Sequence, residues 1–451
     1  MLVLAGHHRQ GDSYEALTEE RPRGISSSRG VGLEANSFGP PFAPLGGAFG
    51  ARRWKPLCLV RLALLMAWMG DLSLVDRFRA ARSAMRRLFP SARPGQTYQG
   101  FSKAVRKYGP GLLALLGGHL RAQIEPMSGC WRVCGRLAFA VDGSRVECPR
   151  TAANERQFKR AGRKKTGPQL SLTTIYHMGS GCPWDYRIGP GTQSERTHLR
   201  AMLATLPLEA LLVADAGFIG YALLREILAS GRHVLFRVGA NVQLLRELGY
   251  AQVQKDSTVY LWPEKARQKQ QPPLVLRLIR LAGGRHPAVL VSDLPDERLS
   301  DEQAGVLYRL RWGVEVFYRS LKQTLARRKM RSTAPEQARM ELAWAFMGLW
   351  VLSLLGAQAI AARGKNPQSL SIACALRHVR QTLERCDRRA GRLSHHLGLC
   401  VKDGYVRSHP KTARNWPHKK NDPPPGVPKI ILATTEQIRH AKELLAQTPA
   451  A

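Results

Sequence analysis

From Leu342 to Ala362 the chain reads LAWAFMGLWVLSLLGAQAIAA, 21 positions without a charged residue. A helix built from this segment is apolar around its whole circumference. Two environments accept such a helix. One is lipid, which needs about 20 apolar residues per crossing. The other is a core large enough to wrap the helix on all sides. The surroundings favour the second. The run is isolated, it follows a charged helical segment directly, and it sits in a strongly basic chain. We therefore expect a central core helix and no membrane span. Leu57–Gly70 is a shorter apolar run broken by Arg61, and reads as a second core helix.

A core of that size needs a long chain, and 451 residues supply two to four structural units. Hydrophobic content of 44% excludes a disordered basic tail protein. With 69 Lys+Arg against 33 Asp+Glu, the net charge is +36. Such an excess calls for a polyanionic partner, and nucleic acid is the ordinary one. The eight cysteines form no regular framework, and a chain this long does not need disulfides. A reducing cytosol, in association with the nucleoid, fits better than secretion. Cys130 and Cys134 are four apart and would share a helix face, but zinc needs a second closely spaced ligand pair and only the loose group Cys386, His395, His396 and Cys400 stands in for one, so the spacing argues against zinc. The opening apolar run, MLVLAG, is too short for a signal-peptide core.

The organisation follows from pattern changes along the chain. Residues 1–50 are rich in Gly, Pro, Ser and Ala and read as a disordered leader. Residues 51–130 read as a helical, basic DNA-binding unit; its first 60 positions hold 13 Lys/Arg and the two acids Asp71 and Asp76. Val75, Phe78, Ala81, Met85 and Leu88 recur at helical spacing, and a second helix runs from Tyr98 to about Ile124. Strand signals follow at 136–148, 169–179 and 185–191, a helix at 194–206, and a buried strand at 209–218. This alternation predicts an α/β domain over 131–362, one mixed sheet flanked by helices. Short strands at 233–239, 257–262, 274–281 and 288–294 suggest a β-rich insertion over about 219–300, with 264–273 as a loop. The last segment, 363–451, is a basic, partly helical tail, with 411–428 as an unstructured linker.

The chemistry concentrates in three places. Asp142 and Asp215 each end an apolar strand, followed by Gly143-Ser144 and Ala216-Gly217-Phe218. A carboxylate there is costly unless it is paired or holds a metal. The third place is LYRLRWGVEVFYRSLKQ (307–323). Tyr308, Arg311, Glu315 and Lys322 fall on one stripe of a helix, and Leu310, Val314, Phe317 and Leu321 on another. The same stripe is also compatible with a plain Arg311–Glu315 ion pair. Three carboxylates from two strands and a helix can hold two divalent ions, which stabilise entering and leaving oxygens in phosphoryl displacement.

D-G-S at 142–144, A-D-A-G-F at 214–218 and Y-x2-R-x3-E-x6-K at 308–322 resemble the DDE transposases of the insertion-sequence 4 family. The resemblance covers about residues 98–350. It implies an RNase H-like catalytic domain interrupted by a β-rich insertion between the second Asp and the Glu. It implies Asp142, Asp215 and Glu315 as a catalytic, metal-binding triad for two Mg²⁺ ions, with Mn²⁺ able to substitute. Tyr308, Arg311 and Lys322 match the family's DNA-contacting residues, and Trp312 follows Arg311 as an aromatic does in relatives that manage a flipped base. Core packing is the other reading of Trp312, and Trp262 is a looser candidate for the same role. The implied activity is cut-and-paste transposition on double-stranded DNA, both terminal inverted repeats and target, by a homodimer on paired ends. A joining-deficient nuclease of the same fold, or a non-catalytic DNA-binding derivative, would share most of these residues.

Overall fold

The computed structural model describes residues 54–159, 167–281, 288–385, 390–404 and 426–447. The expected leader and most of the expected linker lie outside the described residues. Three helices come first: α1 (Pro56–Trp68), α2 (Leu74–Leu88) and α3 (Tyr98–Ala122). Ser73 and Thr97 start α2 and α3, each side chain accepting from a backbone N–H three residues on.

The sheet then builds outward from an antiparallel meander. β1 (Ala138–Glu147), β2 (Gln169–His177) and β3 (Cys182–Pro190) pair in sequence, with the short α4 (Ala152–Phe158) between the first two. After α5 (Glu195–Arg200), β4 (Leu211–Ala214) pairs parallel to β1. All four residues of β4 are buried, as expected of a parallel strand covered on both faces. α6 (Tyr221–Ala229) crosses over to β5 (His233–Val238), parallel to β4. The run β6 (Gln243–Arg246), β7 (Thr258–Leu261), α7 (Glu264–Gln268), β8 (Leu274–Leu281) and β9 (Ala288–Ser292) follows. The later elements are α8 (Asp301–Leu310), α9 (Trp312–Arg319), a π-helical turn (Ser320–Thr324), α10 (Pro335–Ala361), α11 (Ile372–Arg385), α12 (Ala390–Gly398), β10 (Lys429–Leu432) and α13 (Thr435–Gln447). The ten strands lie in the order β10-β6-β7-β8-β9-β5-β4-β1-β2-β3.

This is the α/β fold class expected: a mixed sheet flanked by helices. Several details differ from the sequence reading. Asp142 does not end its strand, because β1 continues five residues past it to Glu147, held in register against β2. The segment read as an insertion is part of the same sheet. Its first strand, β5, continues the parallel core, and β9 pairs with β5 to carry the sheet outward. The helix foreseen over 194–206 stops at Arg200, and the supposed loop 264–273 holds α7. Strands β6 and β10, only four residues each, pair across a long sequence gap and left no local pattern.

The uncharged run lies in α10, which is buried along nearly its whole length. It packs against α1, α3, α12 and β3, so the basic N-terminal helices close the same core as the sheet. α1 comes so close that a Cβ on Gly348 would stand 2.5 Å from the Ala67 Cβ, and Trp68 Nε1 donates to the Gly348 carbonyl at 2.9 Å. Buried Arg327 ties the two regions further, donating to the carbonyls of Met66, Ala67 and Met69 at the end of α1. A smaller core forms where β6 and β7 meet α13, around Leu245, Tyr260, Trp262, Ala441 and Leu444.

Candidate active site

The register of β1 and β4 sets the first two carboxylates side by side. Val141 pairs with Ala214, so Asp142 and Asp215 are the next residues on neighbouring strands, about 4.8 Å apart in the sheet direction. Asp215 accepts a bond from the Ala216 N–H at 2.7 Å, which orients its carboxylate at the turn. Glu315 arrives on α9, which packs across β1. Tyr318 fixes that packing: its hydroxyl donates to the Asp142 carbonyl at 2.8 Å, with the Leu172 carbonyl at 3.3 Å. Val314 and Phe317 bury the opposite stripe of α9.

The four motif residues do not lie on one unbroken helix. The chain is interrupted at Arg311, between α8 and α9, and passes into the π turn at Ser320. Arg311 keeps helical dihedrals (φ −49°, ψ −32°), so the stripe is preserved across the break. The π turn brings Lys322 to where Asp142 and Glu147 both act on its charge, while burial lowers its pKa. A π turn inside a helix is rare and often marks a functional position.

The electrostatics are those of crowded carboxylates. Burial pushes Asp142 up to about 7; the Gly143 N–H and Arg311 oppose the rise, and Glu315 and Glu195 add to it. Glu315 is also raised, by burial first and then by Asp215, although Arg311 pairs with it at 3.0 Å. Arg311 is 7% exposed. Burial works against its charge, yet Tyr308, Glu315, Asp215 and Asp142 together raise its pKa. The guanidinium therefore sits among the acids as their counter-charge, and the plain ion pair foreseen as one reading is present. Tyr308 completes the group, its hydroxyl 3.4 Å from an Asp215 carboxylate oxygen and its ring 5.4 Å from the Arg311 guanidinium carbon.

Over residues 134–351 the chain matches the transposase DDE domain family. Over 223 residues it is 27% identical to the transposase InsG for insertion sequence element IS4 of Escherichia coli (strain K12), covering 46% of this chain and 50% of that protein. Over these residues the chain is similar to the DDE transposases, of the insertion-sequence 4 type. It spans about half the length of this curated relative. A solved piggyBac transposase synaptic complex with hairpin DNA aligns over 82% of this chain and 80% of that one, at 11% identity and a TM-score of 0.40.

The transposase domain holds acidic and basic groups at the site that the sequence did not single out. Glu195, first residue of α5, lies against Gly143, whose place would otherwise carry a Cβ in contact with the Glu195 carboxylate. Burial raises Glu195, Arg145 opposes this, and Asp215 adds to it. Arg196 beside it donates to the Gly217 carbonyl at 3.0 Å, tying α5 to the turn after Asp215. Arg237 on β5 favours the charged form of Tyr308 and so opposes the rise that burial causes. The signal for Glu195 was only a Ser-Glu helix start; nothing local in the sequence points it at Gly143.

The two tryptophans separate. Trp312 is 53% exposed beside the site, so core packing is not its role. Trp262 is 4% exposed in the small core, donating to the Gln271 carbonyl at 2.7 Å. The looser stacking role considered for Trp262 is therefore corrected: it is a packing residue, held in the small core just after β7.

A DDE transposase domain depends on divalent metal in general, and the donor chemistry here fits. The groups are hard carboxylate oxygens, as Mg²⁺ prefers. Burial, with a smaller push from neighbouring acids, raises Asp142 and Glu315 despite Arg311. The oxygens of Asp142, Asp215 and Glu315 do not all come within 4.8 Å of one another.

Proposed function

We propose that this chain is the DNA transposase of an insertion sequence, cutting the element's ends and joining them to target DNA by a cut-and-paste route. The observation that supports this most is the pairing of Asp142 with Asp215 across β1 and β4, with Glu315 brought over them by the Tyr318 bond to the Asp142 carbonyl. Asp142, Asp215 and Glu315 would hold two Mg²⁺ ions, or Mn²⁺ in their place. Such ions supply Lewis acidity to the scissile phosphate and lower the pKa of the attacking water or hydroxyl.

The chain's own residues do the rest. Arg311 neutralises the carboxylates and, buried as it is, reaches a phosphate only at an end held within the site. Tyr308 holds Asp215 and stands over Arg311. Lys322, whose charge Asp142 and Glu147 favour, would meet a backbone phosphate near the carboxylates. Trp312, exposed at the rim, offers a stacking face to an unpaired base, an interaction worth ~1–3 kcal/mol. Arg79, Arg86, Lys103, Arg106 and Lys107 expose positive charge on α2 and α3, suited to salt-dependent backbone contacts along double-stranded DNA. Work on two paired ends implies a homodimer.

The test is incubation of the chain with Mg²⁺ and duplexes carrying the inverted repeats that flank its own gene, with products resolved on a denaturing gel. Nicked, hairpin and joined products are expected. Glu315→Gln should lose cleavage by at least ~10²–10³-fold while keeping DNA affinity. Cleavage at the wild-type rate in that variant would sink the triad. Nicking with no joined product would make the chain a nuclease.

A further inference from the structure

Among the described residues, one set of metal-ligating side chains converges far more tightly than the carboxylates do. The ligand atoms of Cys374, His378 and Cys400 all lie within 4.8 Å of one another. Cys374 and His378 are four apart on α11 and so share a face. Cys400 follows the end of α12, and its thiol donates to the His396 carbonyl at 3.2 Å. The ring of His396, on α12, stacks on that of His378, centroids 4.9 Å apart and 2° from parallel. The pattern is C-x3-H on one helix facing H-x3-C on and after the other.

From this convergence we propose that Cys374, His378 and Cys400 bind a zinc ion, in a structural site separate from the transposase carboxylates. Two thiolates and an imidazole are a donor set that selects zinc over Mg²⁺. The surroundings are built for a closed clip. Leu370 and Val401 form a β-bridge, the Ser371 N–H donates to the Cys400 carbonyl at 2.7 Å, and the Lys402 N–H donates to the Ser369 carbonyl at 2.7 Å. The backbone thus already brings the two ends of the α11–α12 hairpin together, and zinc would lock them from the side-chain side. Binding of the dication would release the thiol protons. The hairpin packs on α10, so the clip would hold the core helix in place from its C-terminal side.

The sequence argued against zinc because Cys130 and Cys134 had no second closely spaced ligand pair, and Cys374 and His378 lay outside the loose group considered. The fold supplies the proximity.

The test uses the full-length chain, untagged, purified under reducing conditions without chelator. Elemental analysis should find about one zinc per chain. Replacement by Co²⁺ should give thiolate-to-cobalt charge transfer and the strong visible bands of a tetrahedral site. Titration with a mercurial should release the zinc in step with thiol modification. Cys374→Ser and His378→Ala should lose most of the metal, whereas Asp142→Asn and Glu315→Gln should keep it. Because the cobalt spectrum and the mercurial titration use the wild-type chain, a variant that fails to fold leaves the proposal open to refutation. No zinc in the wild type, either as purified or after zinc addition, overturns it. So does zinc retained by a Cys374→Ser, Cys400→Ser double variant, or a Cys374–Cys400 disulfide in place of metal.

Discussion

Asp142→Asn should stabilise the metal-free protein, and only at higher pH. The substitution keeps the shape of the side chain and removes its charge. In the folded chain Asp142 titrates near 7 instead of the ordinary 3.8, chiefly through burial, with Glu315 and Glu195 adding to the rise. An acid whose pKa is raised on folding contributes stability that is intact below its unfolded pKa and is lost as pH climbs through the folded one. The window therefore runs from about pH 4 to about pH 7. At about 1.4 kcal/mol per pKa unit, the loss is roughly 4 kcal/mol at most once Asp142 is fully ionised. Less than half of that has accrued at pH 5. Asparagine never incurs it, and Glu315 and Glu195 are relieved as well when the neighbouring charge goes. Urea unfolding of wild type and variant, without divalent ions, should show the variant ahead by a few kcal/mol at pH 8 and by distinctly less at pH 5. Adding Mg²⁺ should then stabilise the wild type more than the variant, because the ions occupy the carboxylates that repel one another. If Asp142→Asn is no more stable than wild type at pH 8, or its advantage does not depend on pH, the account of a charge-stressed carboxylate cluster is wrong.

Other substitutions separate structural from functional parts. Trp312→Ala should leave the unfolding midpoint nearly unchanged, since the side chain is 53% exposed; it should weaken the hold on a cleaved DNA end by ~1–3 kcal/mol, read by competition binding with pre-nicked duplex. Tyr318→Phe should cost about 1–3 kcal/mol of stability, because the Asp142 carbonyl loses its buried donor; an unchanged midpoint would show that the hydroxyl does not anchor α9. Arg327→Met should cost about 3 kcal/mol or more, measured by denaturant, with faster amide exchange at the end of α1, whose three terminal carbonyls lose a common donor.

Much of this molecule was legible in the chain, and the legible parts share a cause. Helical and strand periodicities span only a few residues, so α1, α2, α3 and the strands around Asp142 and Asp215 announced themselves. The uncharged run had to be buried somewhere, and α10 is where that requirement is met. The Tyr308, Arg311, Glu315, Lys322 spacing placed these groups on one helical stripe, which survives the break at Arg311 because its dihedrals stay helical.

The tertiary structure decided whatever depends on which faces meet. The register of β1 against β4 and the Tyr318 bond make three distant acids one site. Burial turned Arg311 into a counter-charge held among carboxylates and sent Trp262 inward while leaving Trp312 at the rim. Glu195 joined the site because Gly143 leaves room for its carboxylate. Cys374 and His378 met Cys400 only because α11 and α12 fold back on each other over α10. Local spacing determines which side of an element a residue occupies. Which elements lie opposite that side is set by burial of apolar surface across the whole chain, and no short stretch of sequence records it.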